Sequence, residues 1–177
     1  MSKIQLKLIL ILLLFNGTAF GLTQAHIREA APQDVEALVT MVKELAAYES
    51  KKPEEVLLTS DKFIKHAFGK EKYFQVLLAE KDNKPIAYAL YFFTYSAYKG
   101  APVLYIEDLY VSEPHRHQGI GTALLSHLEN LSKERGCCRM EWHVFDWNKS
   151  AIQFYQSLGA ALRPDLIQVR LEEKQNI

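Results

Sequence analysis

The stretch "VLYIEDLYVSEPHRHQGIGTALLSHLENLSKERG", Val103–Gly136, constrains this chain more than any other. It opens on a β-rich run, Val103–Val111, passes a loop that holds Arg116, Gly119 and Gly121, and continues as an amphipathic helix to Arg135, where Gly136 stops it. A strand led through a short loop into a helix leaves a row of backbone N–H groups at the positive end of that helix. Such a terminus suits a pyrophosphate, and the glycines let it approach the backbone where a side chain would block it. Two other glycine loops do not fit. A dinucleotide fingerprint needs a third glycine where Leu124 stands, and a Walker loop needs a Gly-Lys-Ser/Thr ending that is missing here.

Around this unit, strand and helix alternate along 177 residues that are 49% hydrophobic, enough for one domain with a sizeable core. "HIREA" reads as a short strand. The apolar positions Val35, Leu38, Val39, Val42, Leu45 and Ala46 then follow helical spacing over roughly Asp34–Tyr48. "TSDKFIKHAFG" predicts a second helix with Thr59 or Ser60 as cap and Gly69 as stop. "FQVLLAEK" and "IAYALYFFTY" form a hairpin across "DNKP". After Gly136 come a strand "CRMEWHV", a helix "KSAIQFYQSL" ended by Gly159, and a last strand near "LIQVRLE". The order predicts an α/β (α+β) fold, a mixed sheet with helices on its faces.

Charge excludes some functions. The 21 basic and 21 acidic residues balance, with no basic block, so no nucleic-acid partner is expected. Cys137 and Cys138 are adjacent and make a poor staple, because a disulfide needs separated backbones that face each other. No metal-ligand spacing occurs, so no metal is expected. Residues 1–25 form a signal-like leader: Lys3 and Lys7 precede an apolar run, Leu8–Phe15, and Ala19 and Gly21 are spaced as a signal peptidase would require. That run is too short to span a bilayer, so no stable membrane insertion is expected. The globular domain is expected over residues 26–177.

The loop "RHQGIG" resembles the R/Q-x-x-G-x-G/A acetyl-coenzyme A motif of the GNAT N-acetyltransferases. "LAAYES", "FTYSAYKG", "LYIEDLYV" and "DWNKSAIQFYQSLGA" are similar to the diamine acetyltransferase group, with its polyamine and thialysine branches, over roughly Ile27–Ala160. The resemblance implies the GNAT fold, a single domain on a mixed, mostly antiparallel sheet. It implies acetyl-CoA held by Leu109, Tyr110 and Val111, by Arg116, His117, Gln118, Gly119, Ile120, Gly121 and Thr122, and by the turn Asn148, Lys149, Ser150 and Ala151. It assigns Tyr155 as the general acid to sulfur and Glu107 as the substrate-binding residue and candidate base. Tyr48, Glu49 and Asp108 line the amine site with Glu107. A homodimer is expected by analogy. Ser96 and Tyr98 stand where polyamine-selective members carry an acid and a tryptophan, which favours the thialysine-type branch, whose substrates are amino acids with a side-chain amine.

The chemistry is consistent with these residue types. An amine of pKa about 10.4 costs roughly 4 kcal/mol to free of its proton at pH 7.4, and a carboxylate both binds the cation and accepts that proton. A phenol near pKa 10 is close enough to a thiol near 8.5 to share a proton with it. An ideal pleat, however, sends Glu107 and Asp108 to opposite faces, so that only a bulge brings them together. Two alternatives stay open: acetylation of a protein lysine or N-terminus, and a non-catalytic acyl-CoA-binding domain. Acetyl-CoA is a cytosolic metabolite, so a cytoplasmic protein started near Leu22 is expected, with export by the leader as the alternative.

Overall fold

The computed structural model describes residues 25–172. The leader-like residues lie outside this range, apart from Ala25. Asp82 and Asn83 both adopt positive φ (51° and 58°), the conformation a two-residue hairpin needs, and they join strand β2 (Gln75–Lys81) to strand β3 (Lys84–Ser96). Strand β1 (His26–Glu29) pairs with β2, and strand β4 (Ala101–Val111) with β3, all antiparallel. Strand β5 (Met140–Trp142) completes the order β1-β2-β3-β4-β5. The bonds Cys138 N–H to Pro102 O and Leu104 N–H to Arg139 O advance the same way along both segments, as a parallel pair does, and make the sheet mixed.

The strands have their helices where the spacing predicts them. Helix α1 (Val35–Tyr48) buries Val35, Leu38, Val39 and Met41, and helix α2 (Ser60–Phe68) buries Phe63 and Ala67; both pack on Val76, Leu78, Tyr88 and Tyr110 of the sheet. The Thr59 hydroxyl accepts from Lys62 N–H and caps α2 as expected. Helix α3 (Ile120–Glu134) buries Ile120, Leu124, Leu125 and Leu128 against strands β2 to β4. Helix α4 (Lys149–Ser157) is capped by the Asn148 carbonyl, which accepts from Ala151 N–H, and ends before Gly159 at φ 87°. Arg28 bridges Asp34 and Glu80 and ties β1 to β2 and to the start of α1. This bridge is structural.

Two expectations are corrected. No strand forms near "LIQVRLE": residues 161–172 have no regular structure, and Ile167, Val169 and Leu171 are almost fully exposed. The alternation there reads as β, but a strand exists only where a neighbour takes its N–H and C=O groups. In "CRMEWHV" the regular strand is only Met140–Trp142. Among the described residues no helix is long and apolar enough to cross a membrane.

Candidate active site

Chain contacts divide into one unit that ends at Glu141 and another that begins at Trp142. In the first unit the decisive feature is a bulge. Leu90 of β3 stands opposite Asp108 of β4, whereas the next residue, Tyr91, stands opposite Ile106, so that Glu107 is an extra residue with no partner of its own. Tyr88 and Tyr110 lie in the core beneath α1 and α2, and Asp108, two residues before Tyr110, shares their face. Tyr91 and Ile106 face the other way. Tyr105 and Glu107 alternate with Ile106 and therefore join Asp108 on the α1 side. The bulge puts two adjacent carboxylates on one face, which a regular pleat forbids.

Burial and hydrogen bonds then tune this face. The Tyr88 hydroxyl donates to Asp108 Oδ2 at 3.1 Å. Burial pushes the Asp108 carboxyl up to about 6, against the Tyr88 bond that lowers it, and the Glu107 and Glu49 charges push it further. Glu49, which caps the C-terminal end of α1, is also raised, by burial first and then by Glu107. Burial likewise raises Tyr105, and the Glu107 and Glu141 charges add to it. Glu49, Glu107 and Asp108 thus feel one another, as carboxylates that share one pocket do. Sequence reasoning missed Tyr88 and Glu44. The Tyr110 hydroxyl donates to Glu44 Oε2 at 2.9 Å, and the spacing of Glu44 to Tyr48 on α1, one helical turn, is the signal that was available.

The loop before α3 leads into a helix whose N-terminus no side chain caps. Gly119 takes φ +79°, a left-handed conformation that glycine adopts without strain. The first amides of any α-helix have no intrahelical acceptor, and the first N–H bonded back into the Gly119 carbonyl is that of Ala123. Ile120, Gly121 and Thr122 therefore offer N–H groups at a positive helix end, as the sequence predicted. His117 also has positive φ, 61°, and is exposed with Gln118. Leu109 and Val111 are half-buried at the end of β4, beside buried Tyr110. Arg116 is turned elsewhere: its N–H bonds Glu113 O, its Nε donates to Val111 O, and its guanidinium lies 5.0 Å from the Tyr48 ring centre and 5.9 Å from that of Tyr110.

In the second unit, Asn148 spends its side chain on capping α4, while Lys149 and Ser150 are exposed and Ala151 is half-buried. The Tyr155 ring packs edge-on against Trp142, 5.2 Å between centres. Burial pushes its phenol up to about 12. Trp142 is half-buried and His143 exposed.

A mixed sheet with a bulged strand that leads through an amide-rich loop into an uncapped helix is, with the family match that follows, the frame of an acyl-CoA-dependent N-acetyltransferase. The chain belongs to the Acetyltransferase (GNAT) family, whose model matches residues 38–160. It is 34% identical over 142 residues to thialysine N-epsilon-acetyltransferase of Bos taurus, with 76% of this chain and 82% of that protein covered. The Caenorhabditis elegans protein of the same name is 33% identical over 127 residues, with 72% and 77% covered. Among solved structures, an integron cassette protein from the mobile metagenome of V. cholerae superposes with a TM-score of 0.71 at 25% identity, over 84% of this chain and 93% of that one.

Proposed function

We propose that the chain transfers the acetyl group of acetyl-CoA to the side-chain amine of a small amino acid of the thialysine or lysine type, by direct attack and without a covalent enzyme intermediate. The observation that carries this reading is the bulge at Glu107, which puts Glu107 and Asp108 on one face with Glu49 in electrostatic reach. The three carboxyl groups recognise an ammonium group; Glu107 binds it and takes its proton, directly or through water. The pyrophosphate of acetyl-CoA rests on the N–H groups at the start of α3, with His117 and Gln118 beside it, and the turn Asn148–Ala151 lies along the cofactor.

Tyr155 is assigned to the departing sulfur. With the phenol raised to about 12, complete proton transfer to a thiolate of pKa about 8.5 is uphill by roughly 5 kcal/mol. Tyr155 therefore acts as a hydrogen-bond donor while charge grows on sulfur, and the proton shed by the amine balances the step. Ser96, buried at the end of β3, and Tyr98, fully exposed at the hairpin tip, supply no carboxylate for a second distant ammonium. This supports an amino acid over a polyamine.

The protein acts as a homodimer in the cytoplasm, where its donor is made; the exposed apolar side chains of residues 166–171 support a second copy as their cover. Mass by light scattering and the N-terminus of the native protein test these two points. For the reaction, the test is a panel of amines with acetyl-CoA, read by free thiol release: thialysine, lysine, ornithine, spermidine and a lysine-containing peptide. Free amino acids should give the highest kcat/KM. A preference for the peptide, or no thiol release with any amine, would overturn the reading.

A further inference from the structure

Arg116 opens the glycine loop, yet its side chain is not spent on that loop. Three contacts fix it. Nε donates to the Val111 carbonyl at 3.0 Å, which holds the side chain back along the end of β4. The guanidinium stands over the Tyr48 ring, 5.0 Å from its centre, and 5.9 Å from that of Tyr110. Tyr110 in turn donates to Glu44, one helical turn before Tyr48. One planar cation thus joins the end of β4 to the C-terminal turn of α1.

The charge of Arg116 has a reason to be there. The last turn of α1 holds no basic residue of its own, and a cation beside a helix C-terminus is favourable. A guanidinium stacks on two rings while Nε keeps a carbonyl; an ammonium cannot do both. Next to Tyr48 stands Glu49, whose carboxyl feels Glu107. Where Tyr48 is held, Glu49 is held.

We propose that Arg116 is a positioning residue that fastens Tyr48 and Glu49 to the start of the donor loop, so that the loop that takes the pyrophosphate also keeps the acceptor-amine pocket in shape. The proposal rests on the acetyltransfer reading above for its kinetic consequence, but not for its structural one. Arg116→Lys keeps the charge and removes the stack; Tyr48→Leu removes the ring.

Two measurements test it. In Arg116→Lys and in Tyr48→Leu, KM for the amine should rise about tenfold, the scale of one lost cation–π contact, with kcat and the acetyl-CoA Kd within about threefold. Hydrogen exchange of the amides over residues 44–50 should quicken by a similar factor, while those of α3 stay as they are. A wild type that acetylates no amine sinks the acetyltransfer reading, and the exchange measurement still decides the clamp. Unchanged exchange over 44–50 in Arg116→Lys overturns the proposal. So does a raised acetyl-CoA Kd with an unchanged amine KM, which would make Arg116 a donor-binding residue.

Discussion

Asp108→Asn tests whether the bulge really buries a carboxylate for function. The Asp108 carboxyl sits at about 6 in the folded protein against an ordinary 3.8, and burial is the chief cause. The sign follows from linkage. A group whose folded pKa is raised contributes stability that is fully present below the unfolded pKa and is lost as pH rises through the folded pKa. Between pH 3.8 and 6 the unfolded chain sheds its proton while the folded one keeps it, so stability falls across that window and levels off above it. A shift of this size corresponds to about 3 kcal/mol at pH 7.5 and about 1 kcal/mol at pH 4.5. Asparagine has no such titration and still accepts the Tyr88 hydroxyl. Relative to wild type, Asp108→Asn should therefore gain about 2 kcal/mol of stability between pH 4.5 and 7.5. Urea unfolding at the two pH values, with equal m-values, reads the difference directly. The same variant should lose most of its kcat/KM for the amine, because the pocket loses a charge. Equal stability differences at the two pH values would refute the buried-carboxylate account, whatever happens to activity.

Other outcomes follow from the same geometry. Tyr155→Phe should lower kcat about 10²-fold and leave the acetyl-CoA Kd within a few-fold, since only the hydroxyl toward sulfur is lost; unchanged turnover in a stopped assay removes Tyr155 from the mechanism. Gly119→Val places a branched residue at φ +79°, with a strain of about 1–2 kcal/mol. It should raise the acetyl-CoA Kd by far more than this strain accounts for, and wild-type affinity by titration calorimetry would deny the loop its role. Thr59→Ala removes the cap of α2 and should cost about 1 kcal/mol in urea unfolding without touching catalysis; a change in kcat/KM there would place α2 in the site.

What the sequence disclosed, and what it withheld, divides along a physical line. Helices α1 to α4 and strands β2 to β4 were legible because their signals are local: a 3.6-residue apolar period, Thr59 as a cap, Gly159 as a stop, the turn at Asp82–Asn83. The uncapped start of α3 was equally legible, since Gly119 and Gly121 are adjacent to the helix they serve. The last strand failed for the opposite reason. Residues 166–171 carry β-type alternation, but pairing is a property of two segments, and alternation in one does not supply the other.

The acceptor pocket shows the same limit at finer grain. Glu107 and Asp108 lie side by side in the sequence, and only the ladder with β3, where Leu90 meets Asp108 and Tyr91 meets Ile106, decides that both face α1. A shift of one residue in that ladder flips every later side chain of β4 to the other face. Tyr110 would then leave the core and Asp108 would leave Tyr88. The bulge is kept in place by the burial of Tyr88 and Tyr110 as much as by Glu107 itself. Core packing and the amine pocket are thus one constraint. The residues that carry it, Leu90, Tyr91 and Ile106, have no chemistry of their own by which a sequence reader could have found them.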